Sequence, residues 1–103
     1  MGKIRWTEKS SNHLQAIHEY IARDSKIYAT RFIKSLVKAT QKLEIMPLSG
    51  RIVPELEGYG LREVIYRNYR IIYRLTGDAV EILAVLHGAR ELRKAFHEEW
   101  ELD

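Results

Sequence analysis

The stretch Gly60–Leu92, GLREVIYRNYRIIYRLTGDAVEILAVLHGAREL, decides the fold. Its apolar residues recur at every second position, the period of a strand whose side chains alternate between two faces. Three such runs stand in succession: Leu61 to Arg67, Tyr69 to Leu75 and Val80 to Leu86. Arg67-Asn68 stands where a tight turn would join the first two, and Thr76-Gly77-Asp78 where a turn would join the second and third. Consecutive strands with such short loops predict an antiparallel meander, because parallel neighbours need a long crossover. Beyond it, Leu92 and Phe96 fall four apart and predict a last helix from Gly88 to about Trp100.

Upstream the period changes. Lys3 to Trp6 reads as a short strand with Ile4 and Trp6 on one face, and Thr7 as the N-cap of a helix over Glu8 to Arg23. Leu14, Ile17 and Ile21 form that helix's apolar stripe. Asp24 and Ser25 interrupt it, and either can cap a second helix. In that second helix Ala29, Phe32, Ile33, Leu36, Ala39, Thr40 and Leu43 share one stripe, with Lys34, Lys38 and Lys42 opposite. Pro47 ends it, since the residue before a proline disfavours α geometry. The short gap predicts an antiparallel helical hairpin. Met46 to Gly60, with two prolines and three glycines, reads as a connector. The expected fold class is therefore α+β. Its parts are an N-terminal strand, a helical hairpin, a three-stranded antiparallel meander and a C-terminal helix, in a single domain over 1–103.

Alternation also sorts side chains by face. Tyr69, Ile71, Tyr73 and Leu75 share one face with Val80, Ile82, Ala84 and Leu86, and the helices should cover it. Arg70, Ile72 and Arg74, with Glu81, Leu83, Val85 and His87, should occupy an open face. Arg62 is expected to join Arg70 there, and His87 and Arg90 to rim it. Guanidinium groups hold their charge and bond two oxygens at once, so such a face suits an anionic partner. The alternative is that these arginines are solvated or salt-bridged to Glu63, Glu81 and Glu91, although Arg70, in the middle of a central strand, is costly without a role or a partner. Between Arg51 and Arg74 there are five arginines, no lysine and three glutamates. The tail from Glu98 to Asp103 carries four acids and no base.

Composition narrows the function classes. The chain has 103 residues, 46% apolar and 30% charged, which fits one soluble domain with one core. Net charge is +3, too small by itself to indicate a nucleic-acid partner. There is no cysteine, which removes disulfides, thiolate metal sites and a cysteine nucleophile. No apolar run is long enough to span a membrane and no signal peptide stands at Met1 to Trp6, so a cytoplasmic location is expected. His13 and His18 fall on different helix faces, His97 lies beside the acidic tail, and no metal motif is present. Gly58-Tyr59-Gly60 is not followed by a helix, so it is no nucleotide loop. No cofactor is expected.

Several stretches together resemble the ParE/RelE toxin superfamily of type II toxin–antitoxin systems. They are Trp6-Thr7 followed by Ile17-His18-Glu19-Tyr20-Ile21, then LEIMPLSG at Leu43–Gly50 leading into Arg51, then GLREVIYRNYRIIY at Gly60–Tyr73 followed by VEILAVLHGAREL. The resemblance spans nearly the whole chain. It implies a growth inhibitor neutralised by a cognate antitoxin, in a toxin–antitoxin hetero-oligomer, with a role of the plasmid-stabilization kind. RelE-like members cut messenger RNA on the ribosome, where basic side chains must converge on one phosphodiester. On that reading Arg62, Arg70, His87 and Arg90 would be catalytic, with Arg62 at the place of a lysine in some members. Arg51, Arg62, Arg67, Arg70, Arg74, Arg90 and Phe96 would form the binding surface. Two positions depart from RelE: Val64 replaces a second basic residue, and Phe96 replaces a functional tyrosine and cannot donate a proton. ParE-like members instead poison DNA gyrase without nuclease chemistry. The long helical hairpin, the proline–glycine connector and LHGAR at Leu86–Arg90 resemble them more.

Overall fold

The computed structural model describes residues 3–88 of the chain. The expected C-terminal helix, with Arg90, Phe96 and the acidic tail, lies outside the described residues.

A strand, β1 (Lys3–Trp6), leads into α1 (Glu8–Ala22) and α2 (Lys26–Thr40), followed by a 3-10 turn at Gln41–Glu44. Both helices start where the sequence supplies a cap. The Thr7 hydroxyl accepts from the Ser10 amide, and the Ser25 hydroxyl from the Tyr28 amide. The Thr7 hydroxyl also donates to the Ile82 carbonyl at 2.9 Å, so this cap fixes α1 to the sheet. The connector is more ordered than its turn formers suggest. It contains β2 (Arg51–Ile52) and a short 3-10 turn at Pro54–Leu56. The meander comes next as β3 (Leu61–Tyr66), β4 (Tyr69–Thr76) and β5 (Ala79–His87).

The sheet of the described residues has five strands, in the order β1-β5-β4-β3-β2: the expected meander lies at its centre, the expected N-terminal strand joins it, and β2 was not expected. β1 lies parallel to β5 at one edge, and β2 antiparallel to β3 at the other. Alternation placed β1 as a strand but not its pairing with β5, and β2, at two residues, is too short to show a period.

Register corrects two face assignments. The turn at Arg67-Asn68 sets Tyr66 opposite Tyr69, which puts Arg62 opposite Tyr73 and Val64 opposite Ile71. Arg62 therefore lies on the helix-covered face, and Arg70 points to the other. Glu63, opposite Ile72, takes the place beside Arg70 that was expected of Arg62. The second correction is a bulge. Ile72 pairs with Ala84 but Tyr73 pairs with Ile82, so Leu83 is an extra residue. Past it the faces of β5 exchange: Val85 and His87 join Ile71 and Tyr69, while Ala84 and Leu86 join Ile72 and Arg70.

The sheet thus carries apolar packing on both faces. Beneath the helices lie Ile17, Leu36, Leu43, Val64, Ile71, Tyr73, Val80, Ile82 and Val85. On the other face Ile72, Leu83, Ala84 and Leu86 pack with Val53, Leu56 and Leu61. The face expected to be open and arginine-bearing is in large part a second core. The 3-10 turn of the connector folds onto it.

Candidate functional site

The arginines of the sheet are organised by two glutamates. Glu63 is fully buried on β3. Its Oε1 accepts from Arg70 Nε at 2.6 Å, and its Oε2 accepts from Arg51 Nε. Arg51 stands directly opposite Glu63 across the β2–β3 pair. Arg70 turns the rest of its fork to the connector. Nη1 and Nη2 donate to the two carboxylate oxygens of Glu55 at 2.6 and 2.8 Å. This bidentate pair holds the Glu55 carboxyl down at about 2, mainly through the Arg70 hydrogen bonds. The same pairing, Glu55 first, pushes the Arg70 guanidinium further up.

Glu81 repeats the device at the other end of the sheet. It stands opposite Arg74 on β4 and opposite Arg5 on β1. It accepts from Arg74 Nε and Arg5 Nη2, each at 2.8 Å. Its carboxyl is lowered, first by Arg74.

Arg62 belongs to neither cluster. On the helix side of the sheet its Nη1 donates to the Gly50 carbonyl at 2.8 Å and the Leu48 carbonyl at 3.3 Å, fastening the connector to β3. Beside it the Tyr73 hydroxyl donates to the Pro47 carbonyl at 2.7 Å and accepts from the Gly50 amide at 3.0 Å. A side chain at Gly50 would meet that hydroxyl at 2.5 Å, so only glycine fits there. Arg67 is exposed at the β3–β4 turn with φ of 55° and lies over the Tyr66 ring. His87 also faces the helix side, edge-on to Tyr69 with ring centroids 5.6 Å apart.

The sequence-derived residues therefore separate. Arg51 and Arg70 meet at Glu63, Arg74 sits at Glu81, Arg62 and His87 lie on the opposite face, and Arg67 caps a turn. Arg90 and Phe96 fall outside the described residues. Sequence reading missed Glu55, Tyr73 and His13 as organising groups, and offered Glu63 and Glu81 only as alternative salt-bridge partners of the arginines. His13 on α1 accepts through Nδ1 from the Val85 amide at 3.1 Å, at an edge of β5 that β1 no longer covers. A glutamate in mid-strand on the parity of Arg70 was the available signal for Glu63, since a buried carboxylate requires a cation.

Among the described residues no group of three or more His, Cys, Asp or Glu could hold a metal ion. No described helix is long and apolar enough to cross a membrane.

Comparison with known proteins gives a consistent result. A family model described as "ParE toxin of type II toxin-antitoxin system, parDE" matches residues 4–92. Toxin Y4kP of Sinorhizobium fredii is 32% identical over 100 residues, covering 95% of this chain and 92% of that protein. Toxin RelE2 of Caulobacter vibrioides is 32% identical over 91 residues, covering 87% of this chain and 99% of that protein. Among solved structures, the fold is shared with a chain of the chromosomal ParDE system of Pseudomonas aeruginosa. There the TM-score is 0.73 at 23% identity, over 84% of this chain and 96% of that one. It is shared also with a chain of the RelBE2 toxin–antitoxin complex of Mycobacterium tuberculosis, with a TM-score of 0.63 at 22% identity and the same coverage. With a fold of two helices on a five-stranded sheet and a family match over most of its length, the chain belongs to the ParE/RelE family of type II toxin–antitoxin toxins.

Proposed function

We propose that this toxin is a ParE-like growth inhibitor that acts on DNA gyrase by binding, without nuclease chemistry, and is neutralised by a cognate antitoxin. The observation that carries this reading is the state of the sheet arginines. Cleavage of RNA needs basic groups converging on one phosphodiester to activate the 2′-hydroxyl and stabilise developing charge. Here Arg70 is buried and closed by Glu55 and Glu63, while Arg62 lies across the sheet from it on backbone carbonyls. Two guanidinium groups on opposite faces of a sheet cannot address one phosphate. The antitoxin would find its apolar anchor at Leu48 and Ile52, which are exposed beside Arg62. An acidic segment that folds on binding suits such a rim.

A second reading is a RelE-like, ribosome-dependent endoribonuclease. The 32% identity to a protein named RelE2, over almost all of that protein, favours it. Induction of the toxin without antitoxin separates the two. Gyrase inhibition predicts loss of negative supercoiling and a DNA-damage response while messenger RNA stays intact. Early fragmentation of messenger RNA with plasmid topology unchanged would overturn the proposal in favour of the second reading.

A further inference from the structure

Among the described residues the densest run of positive charge without an ion pair lies on α2 rather than on the sheet. Between Ser25 and Leu43 there are five cations, Lys26, Arg31, Lys34, Lys38 and Lys42, and no acid. The whole chain is only +3, so this one segment more than accounts for its net charge. Arg31, Lys34 and Lys38 stand at three- and four-residue steps on α2, with Lys42 one turn further, and all four are exposed. None has an ion-pair partner among the described residues, in contrast to Arg5, Arg51, Arg70 and Arg74. Ala29, Leu36 and Thr40 on the opposite side are buried, so packing fixes which side of α2 faces outward.

We propose that this outer face of α2 binds the phosphate backbone of double-stranded DNA without reading its sequence. The row from Arg31 to Lys38 is about 10 Å long, on a helix that rises about 1.5 Å per residue. The other exposed side chains along it, Ser35 and Gln41, can also donate to phosphate oxygens. From Arg31 to Lys42 the row exposes no large apolar or aromatic side chain, and the exposed Ile27 and Tyr28 stand at its N-terminal end, not at its centre. A protein partner would need such an anchor at its centre, and single-stranded RNA or DNA would need aromatic rings to stack on. A polar cationic ridge suits a duplex. B-form DNA fits best, because its major groove, about 12 Å wide, admits a helix, whereas the major groove of A-form RNA is too narrow. The inference does not depend on which cellular target the toxin inhibits.

Fluorescence anisotropy of a labelled, mixed-sequence DNA duplex tests it, with the full chain titrated at several salt concentrations. The expected result is binding that weakens with salt at a log–log slope of about −3. Lys34→Gln with Lys38→Gln should reduce that slope by about two and weaken binding about tenfold or more at ~100 mM salt. Both positions are exposed, and an unchanged circular dichroism melt shows that the variant is folded. Lys3→Gln, on the sheet side away from the helices, should shift the slope by less than half as much. Four outcomes overturn the proposal: no binding at ~50 mM salt, a folded double variant that binds like the parent, polyglutamate competing as well as DNA at equal charge, or duplex RNA of the same sequence binding more tightly.

Discussion

Glu63 carries no solvent-exposed side-chain surface and accepts from two guanidinium groups. A buried carboxylate gains little net stability from such pairing, but it becomes costly when one partner is removed. Arg70 therefore serves first as a counter-charge hydrogen-bonded to the buried Glu63 carboxylate. It then uses its remaining two donors to clamp Glu55 and the connector. The depressed Glu55 carboxyl gives this clamp a pH signature. Its folded pKa of about 2 lies below the ordinary carboxylate value of 4.5. The contribution is thus fully present above about 4.5 and is lost as pH falls toward 2. Glu81, also lowered, adds to the same trend. Denaturant unfolding between pH 6 and 2 should show stability falling steeply on the acid side, with a shallower fall in Glu55→Gln. An equal acid slope in that variant would mean that the Glu55–Arg70 pair is not formed in solution. At this scale the sequence was only half legible. The cost of leaving Arg70 unpartnered in a central strand was readable, and Glu63 stood among the candidate partners, but Glu55 did not, because it approaches from a connector with no period to place it.

At the scale of elements, periodicity placed both helices and all three strands of the meander, with ends within about a residue or two except at the C-terminus of α2, which stops at Thr40 and tightens into a 3-10 turn over Gln41–Glu44 instead of running on to Pro47. The caps at Thr7 and Ser25 are local chemistry, independent of tertiary context. The faces were less legible. The parity that puts Arg62 opposite Tyr73 comes from the two-residue turn at Arg67-Asn68, so that register was available and the expected placement of Arg62 went against it. The bulge at Leu83 was not available. An extra residue leaves no mark in a run as uniformly apolar as Ile82 to Leu86. Its effect is large, because it lets Ala84 and Leu86 pack on one face while Val80 and Ile82 pack on the other. Deleting Leu83 should therefore turn Val80 to Ile82 or Ala84 to His87 onto the wrong face and abolish cooperative unfolding. A deletion variant that still melts cooperatively near the parent temperature would show that the bulge is dispensable.

For the whole molecule, the charge divides into two populations. Four sheet arginines, Arg5, Arg51, Arg70 and Arg74, are paired within the fold by Glu55, Glu63 and Glu81, and Arg62 rests on backbone carbonyls, while the cations of α2 face solvent without acids among them. Composition alone, at +3, conceals this division, since it sums a neutralised sheet with an unneutralised helix. The central claim is that Arg70 holds the architecture of this toxin and does not act on its target. Arg70→Met alone leaves the buried Glu63 with only the solvent-exposed Arg51 and should cost up to about 3–5 kcal/mol. Arg70→Met with Glu63→Met removes both buried charges together. Arg51 and Glu55 are then left where water can reach them, and most of that stability should return. The decisive measurement is growth arrest on induction of the double variant, at a level where it is folded. We predict arrest comparable to the parent toxin; a folded, stable double variant whose host grows normally would contradict the account and return Arg70 to the working surface.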